Sequence, residues 1–174
     1  MFLKKLKDNN ANRVLKKCIS NRKDGSLQDR GKTVSLGCIV NIDEFNHTEV
    51  FTALYKEMGL RENQFKIIGF TSREESFSGF SIPVFTVKDL GWGGVIKNQG
   101  VLEFMNWEYD VLLSYYEEAP IVLKLVTAQT VANLKTGLLV KNQELNDVVF
   151  EIKPDKFSQF RSEFLKYLTI VKKV

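Results

Sequence analysis

Residues 109–137 read YDVLLSYYEEAPIVLKLVTAQTVANLKTG. Tyr109 to Leu113 is a short and nearly unbroken apolar run, the pattern of a strand buried on both faces. Pro120 suits the first turn of a helix, where its missing N–H leaves no hydrogen bond unmade. Ile121, Leu123, Leu125, Val126 and Val131 carry a strongly apolar helix behind it, and Gly137 to Val140 reads as the following strand. Strand, helix and strand in that order form a right-handed crossover between parallel neighbours.

The same grammar extends in both directions. Val34 to Ile42 is a second near-continuous apolar strand, and a helix follows from about Asn46 to Met58, closed by Gly59. Phe65 to Phe70, Val84 to Val87 and Val148 to Ile152 read as further strands. Residues 95–106 form a helix after the Gly91-Trp92-Gly93-Gly94 turn, and Pro154 opens a closing helix with Phe157, Phe160, Phe164, Leu165 and Leu168 on one face. Strands 34–42 and 109–113 lack polar alternation, which places them side by side in the centre of a parallel sheet. The 71–83 connection is too short and polar for a helix. Residues 141–147 look like a hairpin, so an antiparallel edge is expected there. The expected fold is a three-layer, mostly parallel, Rossmann-like α/β domain over residues 33–174, preceded by a basic N-terminal helical arm and connector over residues 1–32.

That arm carries the charge. Residues 1–32 hold ten basic side chains against three acids, a net +7, so the remainder carries −3 and the whole chain +4. Lys4, Lys5, Lys7, Arg13, Lys16, Lys17, Arg22 and Lys23 form a candidate polyanion-binding set, suited to nucleic acid or an anionic membrane surface. Equally, they would serve as an ordinary solvated helix face. Ala11, Val14, Leu15, Cys18 and Ile19 mark one apolar stripe, while Phe2, Leu3 and Leu6 point elsewhere. A kink is expected at Asn9-Asn10, with the second half docked more firmly.

The composition narrows the classes of function. Thirteen phenylalanines argue against disorder, and no apolar run approaches the 18 residues of a membrane span. Lysines interrupt the first apolar residues, so no secretory signal is expected. Cys18 and Cys38 fit a reducing cytoplasm better than a disulfide framework. His47 has no Cys or carboxylate at ligand spacing and no nucleophile elbow accompanies it, so neither a metal nor a cofactor is expected.

Ligands of open α/β sheets bind beyond the C-terminal strand ends. Asp43 and Glu44 follow the first strand there, Gly91, Trp92, Gly93 and Gly94 the third, Ser114, Tyr115 and Tyr116 the fourth and Lys141 the fifth. This rim is a candidate site for a small phosphorylated ligand, with Trp92 either packed in the core or stacked beside Tyr115 and Tyr116 as a platform for a flat group. The glycines do not follow the first strand, where a dinucleotide fingerprint requires them. Asp43, Glu44, Asp89, Ser114 and Lys141 together also resemble the layout of a phospho-accepting receiver domain.

The sequence resembles the small uncharacterised α/β proteins common in Bacteroidota. The resemblance lies in MFLKKLK at 1–7, KTVSLGCIVNIDEF at 32–45, YDVLLSYYEEAP at 109–120 and AQTVANLKTGL at 128–138. It implies no particular activity. Residues 110–137 are also loosely similar to the nucleotide-sugar-binding architecture of heptosyltransferase-type enzymes, which bears on fold. The functional expectation is a non-enzymatic cytoplasmic binding or adaptor domain with a polyanion-attracting arm. The alternative is a nucleotide- or sugar-phosphate-binding, transferase-like domain that uses the strand ends.

Overall fold

The computed structural model describes residues 2–21, 33, 35–73, 79–138 and 144–171. Two strands form the centre of its sheet, β1 (Leu36–Asn41) and β4 (Tyr109–Tyr115), and they pair in parallel with Leu36 opposite Val111. Both are apolar on both faces, and every residue of β1 is buried. On one face Leu36, Cys38, Val40, Val111, Leu113 and Tyr115 meet α2 (Val50–Glu57) and α5 (Phe157–Ile170). On the other, Ile39, Leu112 and Tyr116 meet α1 (Phe2–Ser20), α3 (Gln99–Met105) and α4 (Ile121–Gln129). Period-two alternation thus feeds two separate apolar layers, giving the expected three-layer α/β architecture. Each large side chain buried this completely contributes roughly 1.5–3 kcal/mol.

β2 (Phe65–Phe70) and β3 (Val84–Phe85) extend the sheet on one side, β5 (Ala132–Leu138) and β6 (Val148–Phe150) on the other. The order is β3-β2-β1-β4-β5-β6 and every pairing is parallel. The antiparallel edge expected at 141–147 is therefore wrong. β6 pairs only with Thr136, Gly137 and Leu138, so the chain must travel back just three residues of strand, roughly 10 Å. A link from 139 to 147 is long enough to reach that far. At its end the Asp147 N–H donates to the Lys135 carbonyl (2.7 Å) while the Asp147 carboxylate accepts from the Lys135 N–H (2.7 Å), which pins the parallel register. α4 stops at Gln129, so Val131 is an exposed linker residue and not part of the helix.

α1 is one continuous helix with no break at Asn9-Asn10. The Asn12 side chain donates to the Asp8 carbonyl (2.9 Å) across that turn. Ala11 and Leu15 are buried, and Val14 and Ile19 pack beside them against the α3–α4 layer. Leu6 stays exposed. The second half of the helix is thus docked and shares one core with the sheet. Among the described residues, no helix is long and apolar enough to cross a membrane.

Candidate functional site

The strand order reverses between β1 and β4, the place where sheets of this order hold ligands. Here the chain fills it with its own side chains. Asn41 ends β1, and its amide donates to the Glu44 carboxylate and to the Glu118 carbonyl, each at 3.1 Å. Glu44 turns back across the crevice and accepts from the Glu117 N–H (2.7 Å) and the Glu118 N–H (2.6 Å). Those two N–H groups lead into α4, where a phosphate would otherwise find them. Burial pushes the Glu44 carboxyl above its ordinary value, against the pull of the Glu117, Glu118 and Asn41 donors.

Asp43 points the other way, along the ends of β1 and β2. It accepts from the Thr71 hydroxyl and the Ser72 N–H, each at 2.7 Å, and Arg73 lies 3.8 Å from it. Burial pushes its pKa up, but the Ser72 and Thr71 bonds and the Arg73 charge outweigh this, so the net shift is downward. A cleft of about 260 Å³ opens beside it, bordered by Ile42, Asn46, Thr71, Arg73 and Phe80.

The remaining rim residues do not converge. Ser114, Tyr115 and Tyr116 are buried. The Tyr115 hydroxyl donates to the Pro154 carbonyl (2.8 Å), and the ring sits edge-on to Phe45, Phe51 and Phe160. Tyr116 shares a hydrogen bond with Thr127 (2.7 Å), and burial pushes its pKa up to about 12. Neither tyrosine presents a face to solvent, so no platform forms beside Trp92. Lys141 lies outside the described residues. The receiver-like layout also fails. Receiver sheets run 2-1-3-4-5, whereas here β3 is at the edge and β1 touches β2 and β4. Asp89 is taken up in its own turn, accepting from the Thr86 N–H (2.7 Å).

Gly91 to Gly94 build a tight loop. Gly93 and Gly94 have φ of +67° and +76°, conformations that disfavour other residues. A Cβ on Gly94 would lie 3.2 Å from Val14, so α1 rests directly on this turn. Trp92 is 54% exposed, neither a core residue nor part of a tyrosine platform. It forms one wall of an open groove of about 480 Å³, together with Val87 and Leu90, the α4 start at Pro120 and Ile121, and Lys7 of α1.

Of the candidate cations, Lys5, Arg13, Lys16 and Lys17 are exposed on the outward side of α1. Lys7 lies seven residues before Val14, on the docked side, and faces the groove. Arg22, Lys23 and the Lys4 side chain lie outside the described residues. The chain belongs to DUF6913, a family of unknown function.

The DUF6913 model matches residues 7–171, which include the Glu44 turn, the Trp92 loop and all six strands. No curated protein and no solved structure matches the chain. Two parts of this DUF6913 chain's geometry escaped the sequence reading. The Asn41–Glu44–Glu118 latch joins residues 73 to 77 positions apart and leaves no local pattern. The groove takes its walls from α1, the 87–92 segment and α4; its one visible signal was a tryptophan set between glycines.

Proposed function

We propose that this DUF6913 chain is a non-enzymatic binding module of the cytoplasm that captures an anionic partner through the outward face of α1. One observation carries this reading. Lys5, Arg13, Lys16 and Lys17 fall within a sector of about 120° on the helix, all exposed, with no acidic side chain among them. The helix beneath them is fixed by Ala11 and Leu15 and by Val14 against Gly94. Held at helical spacing, the four charges add to one field, and less order is lost on binding than for a free arm. The two free cysteines, one of them fully buried, support a reducing compartment.

The phosphorylated-ligand alternative has less behind it. At the switch point the Glu117 and Glu118 N–H groups already serve Glu44, and a phosphate there would face the Glu44 carboxylate. The test is retention on immobilised heparin. The full chain should be held, with affinity falling on the order of a hundredfold between 50 and 200 mM salt if four charges make contact. The triple variant Arg13→Glu, Lys16→Glu, Lys17→Glu should pass through. Identical elution of the two proteins would defeat the proposal.

A further inference from the structure

We infer that the outward face of α1 is a seat for a nucleic-acid duplex, held by its phosphate backbone without any reading of its sequence. The inference rests on the α1 reading above and names the anionic partner.

The first support is the spacing of the cations. Lys5 and Lys16 stand about 16 Å apart along the helix axis, with Arg13 between them and Lys17 just beyond. A duplex carries one negative charge per roughly 1.7 Å of its axis, so that length of helix faces about ten phosphates. Each of the four cations can therefore meet a phosphate of its own.

The second support is what stands among the cations. Asn9 and Ser20 fall between Lys16 and Arg13 around the helix, Asn12 borders Lys5, and all three are exposed. The Asn12 amide keeps a second N–H beyond the one it gives to the Asp8 carbonyl (2.9 Å). Amide and hydroxyl side chains join lysine and arginine as the usual donors to phosphate and sugar oxygens.

The third is what the face lacks. Among the described side chains of this sector, Leu6 is the only large apolar one, and none is aromatic. A helix that lies in a membrane surface buries an apolar face there. In α1 that face is already committed, with Ala11, Val14, Leu15 and Ile19 in the core shared with α3 and α4. A protein partner is anchored by aromatic or aliphatic side chains at a desolvated centre. A single strand stacks its bases on aromatic rings. A duplex keeps its bases stacked inside and presents phosphates, so it needs neither.

The experiment follows fluorescein-labelled RNA and DNA duplexes by anisotropy on the full-length chain. Single-stranded oligo-uridine and vesicles of phosphatidylcholine with phosphatidylserine are measured beside them. Duplexes of unrelated sequence should bind within about threefold of one another, with a slope of log K on log salt near about −3.6 for four phosphates. Lys5→Ala should make that slope shallower by about 0.9. The triple variant Arg13→Glu, Lys16→Glu, Lys17→Glu should weaken the duplex at least tenfold. Lys153, Lys156 and Lys166 are exposed at and just before α5, on the opposite side of the sheet. Reversing those three to Glu changes the net charge equally and should cost less than threefold. All substituted positions are exposed, and circular dichroism verifies the fold of each variant. Equal weakening by the two triple variants overturns the inference, because net charge and not the α1 face would then hold the duplex. If heparin retention depends on α1 but oligo-uridine or vesicles bind more tightly than either duplex, the inference fails and the α1 reading stands. If heparin retention does not depend on α1, that reading fails and this inference with it.

Discussion

The segment from Glu117 to Val122 borders two spaces that share a wall and differ in state. On one side its N–H groups are taken by Glu44, and the crevice between β1 and β4 is closed. On the other, Pro120, Ile121 and Val122 line a groove that stays open to Trp92. Strand order alone does not make a ligand site. A glycine-rich loop after β1 would leave backbone donors free for a phosphate. Asn41-Ile42-Asp43-Glu44 supplies internal acceptors instead, so the available surface shifts to the α1 side.

The contrast is most severely tested at Tyr115. If it belongs to the core, Tyr115→Ala removes a ring packed among four phenylalanines. The expected loss is about 4 kcal/mol, a fall in melting temperature of about 8–16 °C for a chain of this size. A change under 2 °C would mean the ring faces a ligand space after all.

Glu44→Ala comes next. It leaves the Glu117 and Glu118 N–H groups without their carboxylate near the surface, where water replaces part of the loss. About 1–2 kcal/mol is expected by denaturant titration. An unchanged midpoint would mean that the closed crevice adds nothing to stability.

The two neighbouring acids should respond to pH in opposite directions. Folding lowers the Asp43 pKa, so its contribution is present above its unfolded value of 3.8 and is lost as pH falls through the lower folded one. Asp43→Asn should therefore lower the melting temperature most at neutral pH and least near pH 3. Folding raises the Glu44 pKa, so its contribution is fully present below its unfolded value of 4.5 and fades as pH rises through the folded one. The wild-type advantage over Glu44→Gln should shrink from pH 4 upward. Melting curves between pH 3 and 7 that show the same trend for both variants would contradict the opposed environments.

The smallest effect belongs to the open side. Trp92→Ala should move stability by no more than about 0.5 kcal/mol. A loss above 1.5 kcal/mol by the same denaturant titration would make Trp92 a structural residue and remove the basis for a groove kept open.

Elements with many side chains in one pattern were readable from sequence. β1 and β4 each offer six or seven residues, nearly all apolar, and their burial, adjacency and parallel pairing follow from that. α1 showed its docked stripe through Ala11, Val14 and Leu15. The expected kink at Asn9-Asn10 failed because Asn12 and Asp8 bridge the turn, and neither belongs to an apolar pattern. β6 has three residues, too few to state a direction, and its orientation depends on Asp147 reaching back to Lys135. The candidate rim was legible as a set of positions but not as a set of orientations. Tyr115 and Tyr116 look polar enough for a surface, and only the packing of α5 and α4 over them makes them core.

The two outermost strands have a consequence for how copies of this chain meet. β3 runs for two residues and β6 for three. A parallel sheet that ends in long strands offers an unpaired ladder on which another chain can add itself, the usual route to domain swapping and fibril growth. At both borders of this sheet the ladder runs out after one or two hydrogen bonds, too short a template to set a register. The brevity that left the direction of β6 unstated in the sequence also leaves both edges poor templates for edge-to-edge polymerisation.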